Sequence, residues 1–247
     1  MQNISRIYAL SKRNIILRYK NSLAGFFWGF FKPLLYLMIF IAIFSKIPSN
    51  HIDNYILYVT SGLIFWFFFS NVTNQAVGSI IGSSGLIKSI NIPVVFFPLS
   101  EIISELFNFI LTIMVFLVVM HWFGISYSFR MFLIIPCMLL FAIFSFGVTI
   151  LLSSINVFFR DVGILWGTIQ PALFYMTPIG YREDLVSPLI SRYNPIYYFI
   201  KLGRTIFHDP QAPTMDLWIN CICIAAGMYL LGAVVFNSLK NQFISTI

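Results

Sequence analysis

The chain carries very little charge. Only 9% of its 247 residues are Asp, Glu, Lys or Arg, whereas a typical soluble protein has roughly 25%, and 59% of its residues are hydrophobic. A soluble chain of this length could not bury so much apolar side chain, so lipid must be the solvent for most of it. The composition therefore predicts an all-α integral membrane protein. The net charge of +7 comes from basic residues beside hydrophobic runs, which indicates membrane topology rather than nucleic-acid binding.

Several chemical motifs are also missing. No Gly-Lys dipeptide occurs, so there is no Walker A loop and the chain cannot use ATP in the P-loop manner. Neither H-E-x-x-H nor G-x-S-x-G is present, and none of the three histidines, which fall in or beside loops, has a cysteine nearby. The three cysteines lie in apolar stretches, and Cys221 and Cys223 are too close in sequence to form a zinc pair, so we predict no metal site.

Three of the predicted spans lack acidic and basic residues. Residues 55–78, 131–153 and 162–179 contain no Asp, Glu, Lys or Arg. Proton- or ion-coupled carriers place such groups near the middle of the membrane, and a membrane transferase needs a base or a metal at the lipid boundary. The absence argues against both classes of protein. It leaves a membrane scaffold with no energy source of its own, and a structural membrane subunit stays open as an alternative.

The pattern of apolar runs predicts six transmembrane helices in one transmembrane domain covering residues 1–247. We place them at residues 23–45, 55–78, 99–120, 131–153, 162–179 and 215–236. Residues 79–98 form a short cytoplasmic segment, and residues 180–214 form short helices at or in the outer surface. Nine of the 15 Lys and Arg residues, five of them before residue 21, fall on the side of the two termini, so we expect both termini in the cytoplasm.

The segment before the first span is basic and amphipathic. Residues 4–21 place an apolar face opposite Arg6, Arg13 and Lys20, which recur every seven residues. This spacing predicts a helix lying in the membrane interface. It is either a positive-inside anchor or a surface that contacts a partner protein or a lipid phosphate. The apolar run from Leu23 is too long for a signal peptide, so we expect an uncleaved N-terminus.

A few polar residues inside the spans have two interpretations each. Lys32 either extends its amine to the cytoplasmic interface, which we favour, or faces a pore. Asn71, Asn74 and Gln75 share one helix face and either join helices or line a hydrophilic path. Glu101 and Glu105 are expected to stabilise a helix N-terminus rather than to carry protons.

Five motifs in order resemble the type-2 ABC exporter permeases, most closely those that export lipid-linked polysaccharides such as O antigen, capsule or teichoic acid. The opening motif runs from Arg18 to Leu34 and includes Gly25 and Trp28. The others are Leu86-Ile87-Lys88 through Phe97-Pro98-Leu99, Phe158-Phe159-Arg160-Asp161-Val162, Phe174-Tyr175-Met176-Thr177-Pro178-Ile179 and Tyr193-Asn194-Pro195.

This resemblance implies a bacterial inner-membrane permease that is not itself an enzyme. The family pattern is a homodimer with two copies of a separate ATPase subunit, which binds the ATP and Mg²⁺, so this chain needs no cofactor. The substrate would be a glycan on polyprenyl pyrophosphate, passing between the two permease copies among membrane lipids. The interfacial helix and the 79–98 segment would contact the ATPase. The coupling candidates are Arg6, Lys88, Asn91, Pro93, Arg160 and Asp161.

Aromatic and basic residues give candidate substrate contacts. Flat rings can slide along the C–H faces of sugars, as they do along the bases of single strands. The pore candidates are Trp28, Tyr36, Phe40, Trp66 and Tyr175; the alternative for each is packing against lipid or neighbouring helices. The candidates for the pyrophosphate or lipid headgroups are Arg13, Arg18, Lys20 and Lys32. The rival functions are a drug or small-lipid exporter of the same superfamily and a membrane-embedded glycan-modifying enzyme.

Overall fold

A computed structural model describes residues 2–19, 31, 35–36, 38–39, 42–43, 54–90, 92–125, 127–185, 187–207 and 212–247. Within these residues all regular structure is helical, which confirms the predicted fold class. The helices are α1 (Gln2–Tyr19), α2 (Tyr55–Val77), α3 (Ser79–Gly82), α4 (Ser84–Ser89), α5 (Phe96–Trp122), α6 (Ile134–Phe158), α7 (Asp161–Met176), α8 (Pro188–Tyr193), α9 (Pro195–Phe207), α10 (Met215–Leu239) and α11 (Phe243–Thr246).

Four helical segments are long and apolar enough to cross a membrane. They are Tyr55–Val77, Phe96–Trp122, Phe129–Phe158 and Met215–Thr246, and they overlap the second, third, fourth and sixth predicted spans. The predicted first span lies mostly outside the described residues. The fifth is present as α7, but its 16 residues reach only about 24 Å, less than the ~30 Å hydrocarbon core. The number of six spans therefore stays a prediction.

Helix α2 lies at the centre of the bundle. Most of its side chains are buried, and it packs against α5, α6, α7 and α9. A helix that is apolar on all sides is stable only when other elements surround it. The run Phe65–Phe69 supplies this contact; for example, the Phe68 ring stacks on Phe109 of α5 with centroids 4.6 Å apart. By contrast, much of α5 and α10 is exposed, as expected of helices that face lipid.

Helices α6 and α10 approach each other closely at two glycines. A Cβ atom on Gly147 would lie 2.5 Å from the Met228 carbonyl oxygen, and one on Gly232 would collide with the Gly147 carbonyl oxygen. Small residues at such a crossing let two membrane helices gain packing contacts along their backbones. This crossing places the start and the end of α10 at opposite ends of the bundle.

A second apolar cluster gathers both termini at one end of the molecule. Its partly buried rim includes Ile7 of α1 and the C-terminal Ile247. Because both terminal regions contribute to it, we call this end the termini end. Its buried members are Leu10, Ile80, Ile87, Phe96, Phe97, Val157, Phe236 and Phe243.

Candidate functional site

The aromatic pore candidates that the structure describes meet around one ring, Phe174 of α7. Its centroid lies 5.8 Å from that of Tyr36, 5.2 Å from that of Trp66 and 5.4 Å from that of Tyr175. The sequence analysis did not single out Phe174, although it lies in a quoted motif. The other two candidates, Trp28 and Phe40, lie outside the described residues. The structure therefore brings three of the five predicted rings to one place.

These three rings differ in access. Trp66 is only 5% exposed and also packs against Phe69, so in this conformation it holds α2 against α7 and presents no free face. Tyr36 is half-buried, whereas the side chain of Tyr175 is 73% exposed. Of the three, Tyr175 is the ring that a passing substrate could contact without movement of the surrounding helices.

Helix α7 has one exposed face and one bonded face. Ile164, Thr168 and Tyr175 lie on the exposed face. Gln170 lies on the other, where it is buried against α2. The structure thus separates a surface that is open for contact from a surface that fixes the helix in place.

The Gln170 side chain forms the polar junction between α7 and α2. Its amide oxygen accepts hydrogen bonds from Ser70 Oγ at 3.1 Å and Asn74 Nδ2 at 2.5 Å. Its amide nitrogen donates to Thr73 Oγ1 at 2.9 Å and to the Ser70 carbonyl at 3.2 Å. For Asn74 this answers the question that the sequence left open, because its amide joins two helices. No sequence signal marked Gln170, since a single amide in an apolar run has no periodic partner.

The two glutamates of α5 do not stabilise the start of that helix, so this prediction was wrong. Helix α5 begins at Phe96, and no acidic residue lies in its first turn. Instead Glu101 accepts a hydrogen bond from Asn14 of α1 at 2.9 Å. The carboxylate of Glu105 is buried and accepts from Asn71 of α2 at 2.9 Å. Both carboxylates therefore join helices, and Asn71 acts in the same way as Asn74.

Most of the described coupling candidates lie on the surface of the termini end. Lys88 at the end of α4, Pro93 before α5, and Arg160 and Asp161 at the start of α7 are exposed, while Arg6 on α1 is partly exposed. The apolar cluster beneath them fixes the segments that carry them. The remaining candidate, Asn91, lies outside the described residues.

The turn that carries Arg160 and Asp161 is tied to the bundle by Asn156. This buried amide donates to the Val77 carbonyl at 3.0 Å, at the end of α2, and accepts from the Gly163 amide at 3.2 Å. Asn156 therefore joins this turn to the end of α2 and to the first turn of α7. The sequence analysis gave Asn156 no role.

Of the phosphate candidates, only the side chain of Arg13 can be placed. It is exposed on α1, on the surface of the termini end. Arg18 belongs to the same helix, and its side chain is not described. Lys20 and Lys32 lie outside the described residues. The grouping of these four cations stays a prediction.

The opposite end of the bundle is organised by Arg204, which is only 9% exposed. Its guanidinium donates to the carbonyls of Pro178 and Ile179 at 2.7 Å each and to that of Tyr58 at 3.3 Å. It also lies 3.6 Å from the centre of the Tyr58 ring, a cation–π contact. One side chain thus joins α9, the start of α2 and the turn after α7. Its role was missed because three carbonyl acceptors leave no trace in a sequence.

The Asn-Pro element at residues 194–195 begins α9. The Asn194 side chain accepts hydrogen bonds from the Ile196 and Tyr197 amides, and Pro195 occupies the first helical position. The Asn194 side-chain amide also donates to Thr177 Oγ1 at 2.8 Å. The helix that carries Arg204 is therefore aligned with the turn after α7 at both of its ends.

A polar cluster covers this end. Glu183 accepts hydrogen bonds from Tyr197 and from Lys201, whose amine lies 3.1 Å away. Burial raises the pKa of Tyr197 to about 12, with a further contribution from its bond to Glu183. The phenol therefore stays protonated and donates. Helices α8 and α9 lie within residues 180–214, and their position at the outer surface stays a prediction.

Three named relatives match most of this chain. The O-antigen export system permease protein RfbA of Klebsiella pneumoniae is 30% identical over 243 residues, which cover 96% of this chain and 93% of that protein. The RfbA protein of Myxococcus xanthus is 23% identical over 98% of this chain and 95% of its own length. The capsule polysaccharide export inner-membrane protein CtrC of Neisseria meningitidis serogroup B is 29% identical over 70% of this chain and 66% of its own length.

A family model matches the same part of the chain as these relatives. The family described as ABC-2 type transporter matches residues 5–208, which contain α1, the central helix α2 and the whole Arg204 region. This confirms the resemblance that the sequence motifs indicated. Since the match spans most of the chain and relatives align along nearly its full length, the chain belongs to the ABC-2 type transporter family.

Proposed function

We propose that this chain is the membrane permease subunit of an exporter that carries lipid-linked polysaccharide, O antigen in the first instance, across a bacterial inner membrane. The observation that carries the proposal is the alignment of 96% of the chain with an O-antigen export permease. The missing Walker A loop fits a transport subunit that draws its energy from a separate ATPase. The chain itself is then a transport protein and not an enzyme.

The proposed pathway runs along the exposed face of α7 in a homodimer of the chain. Tyr175 and Thr168 are exposed there, while Gln170 and Phe174 hold the opposite face against α2. An aromatic wall of this kind offers sugars a contact that does not depend on their sequence. Trp66, being buried, would support the wall by packing, and Tyr36 would flank it.

The proposed ATPase contact is the surface of the termini end. Arg6, Lys88, Pro93, Arg160 and Asp161 lie on segments that share one apolar cluster, so a push on any of them moves the others. Asn156 carries that movement to α2 and α7. This proposal places the termini end, and with it both termini, in the cytoplasm. Arg13, with Arg18, Lys20 and Lys32, would meet the pyrophosphate on the same side.

The test is export of O antigen in a strain that lacks its own permease gene, together with copurification of a P-loop subunit. Tyr175→Ala should lower the rate of glycan export while the variant still assembles with the ATPase. Tyr193→Ala is the matched control, because Tyr193 is 76% exposed and belongs to α8 rather than to α7. Equal export by wild type and the Tyr175 variant would remove the α7 face from the pathway.

Copurification separates the rival functions. A stoichiometric ATPase that is stimulated by lipid-linked glycan supports the proposal. Stimulation by a drug or a small lipid alone would favour the other exporter class. A chain that elutes without any ATPase and converts glycan by itself would show a glycan-modifying enzyme.

A further inference from the structure

A groove of about 430 Å³ opens on the side of the bundle at the termini end. It lies between the segment before α5, the inner half of α6 and the last three turns of α10. Among the candidate pathway and coupling side chains that the structure describes, only Pro93 lines it. The side chains that line it along α6 and α10 include Phe146, Ile150, Tyr229, Ala233, Asn237 and Lys240.

The length of the groove matches one leaflet of a bilayer. Tyr229 and Lys240 mark its two ends along α10, and the eleven-residue separation corresponds to roughly 16 Å of helix. The hydrocarbon core of a bilayer is about 30 Å thick, so half of it is about 15 Å. A groove that starts at the polar end of α10 therefore runs to about the middle of the membrane.

The polarity of the groove changes along its length. Its deep part is apolar and aromatic, with the Tyr229 ring stacked near that of Phe146 at a centroid distance of 6.1 Å. Its mouth carries the amine of Lys240 and the amides of Asn237 and Asn241. The Lys240 amine donates to Asn237 Oδ1 at 2.9 Å, which holds the cation over the opening. An apolar slot below one cation and two amides is complementary to an acyl chain below a phosphate.

We propose that this groove is a binding site for an anionic phospholipid of the leaflet at the termini end. One acyl chain lies along Ala233 and Ile150 toward Tyr229, and the headgroup phosphate contacts Lys240 and Asn241. The depth of the groove decides the choice of occupant, because a soluble partner protein cannot enter the hydrocarbon layer. A free phosphate would leave the apolar part unfilled.

The groove also borders the segment that carries the coupling candidate Pro93. Pro93 and the neighbouring Val94 and Val95 form one wall of the groove, in the segment that connects α4 with α5. A bound acyl chain supports that segment from the membrane side. The composition of the leaflet then affects how firmly the coupling surface is held, independently of which substrate is exported.

The test uses a photoactivatable phosphatidylglycerol with its reactive group at mid-chain, with the phosphatidylcholine analogue as comparison, in nanodiscs containing the full-length chain. Labelled peptides are identified by mass spectrometry. Ala233→Trp fills the groove, and Val234→Trp places the same side chain one position away on an exposed surface. Lys240→Gln removes the cation at the mouth, and Lys12→Gln removes an exposed cation on α1.

The expected result is labelling of peptides containing Phe146 or Tyr229 by phosphatidylglycerol, lost in Ala233→Trp and retained in Val234→Trp. Lys240→Gln should reduce the preference for phosphatidylglycerol about fivefold, as expected for one basic residue at an anionic surface. Lys12→Gln should leave this preference unchanged.

Two results would overturn the proposal. Equal labelling in the two tryptophan variants would show that the lipid does not enter the groove. Equal labelling by the two lipids, unchanged by Lys240→Gln, would show that the headgroup is not recognised. If Ala233→Trp fails to elute as a monodisperse protein, Ala233→Leu and Lys240→Gln serve as the deciding variants.

Discussion

The two ends of this bundle are held together by different forces. At the termini end, eight buried apolar side chains from seven helices form most of the contact, and Asn156 adds hydrogen bonds to it. At the opposite end, the contact consists of hydrogen bonds with defined directions, centred on Arg204 and Asn194. Apolar contacts depend mainly on the area removed from water and little on direction, whereas a buried hydrogen bond is lost when its geometry changes.

The two ends should therefore differ in how easily their contacts rearrange. An apolar cluster can slide and repack at modest cost, which suits a surface that must respond to a partner. A guanidinium bound to three carbonyls allows one arrangement of α2, α9 and the turn after α7. Conservative substitutions are therefore the sharpest way to compare the ends, since they keep size or charge and change geometry.

Among the directional contacts, the largest effect is expected for Arg204. Arg204→Leu should lower the free energy of unfolding by about 3 kcal/mol, because the Pro178 and Ile179 carbonyls lose their buried donor. Arg204→Lys should recover less than half of this loss, since an ammonium cannot present the planar fork of donors. The measurement is the thermal unfolding midpoint in detergent. Arg192→Leu, at an exposed position of α8, is the control and should change little.

The second-largest effect is expected for Gln170, whose hydrogen bonds join α7 to α2. It tests whether directional contacts also stabilise the bundle away from the Arg204 end. Gln170→Leu leaves Ser70 and Asn74 of α2 without their acceptor and should cost about 2 kcal/mol of unfolding free energy. Ile169→Ala, on the exposed face of the same helix, should cost less than about 0.5 kcal/mol. Equal midpoints for the two variants would mean that α7 is held by its apolar contacts alone.

How much of the fold and of the candidate site could be predicted from the sequence depends on how far apart along the chain the interacting residues lie. The long apolar runs predicted the four helical segments that are long and apolar enough to cross a membrane, because length and hydropathy are local properties. Capping also involves neighbours in sequence, so Asn194-Pro195 could have marked the start of α9, although the sequence analysis quoted it only as a family motif. The five motifs were specific enough to indicate the family.

The contacts between distant segments could not be predicted in this way. Arg204 binds carbonyls 25, 26 and 146 residues away, and Gln170 binds side chains up to 100 residues away. Glu105 was misassigned because the sequence analysis began α5 at residue 99, three residues after its observed start at Phe96, and could not show that Asn71 faces it. Trp66 was proposed for a pathway on its ring alone, without knowledge of its burial.

At the termini end a conservative change should be tolerated. Phe243 is fully buried against the rings of Phe158 and Phe236. Phe243→Leu keeps most of the apolar volume and should cost less than about 1.5 kcal/mol, because the cluster can repack. Phe243→Ala is the cavity control and should cost at least about 3 kcal/mol. Equal losses in the two variants would show that this end is as geometrically demanding as the Arg204 end.

The smallest effect concerns acid, and it should appear only at the opposite end. Burial alone would raise the pKa of Glu183, but the hydrogen bonds from Tyr197 and Lys201 outweigh it and hold the pKa below the ordinary value of 4.5. A carboxylate with a lowered pKa in the folded protein adds stability above pH 4.5, and that stability is lost as the pH falls through the lowered pKa. Because Glu183 is half-exposed, the contribution should stay below about 1 kcal/mol.

The measurement is the unfolding midpoint between pH 6 and pH 3 for wild type and Glu183→Gln. The variant should start slightly less stable and show a flatter decline, since it has no proton to bind at this position. Tyr197→Phe keeps the ring but removes one donor to Glu183, so its decline should lie between the two. If the unfolding midpoints of wild type and Glu183→Gln fall in parallel as the pH is lowered, Glu183 and its hydrogen bonds contribute no acid-sensitive stability. The comparison between the ends would then depend on Arg204 alone.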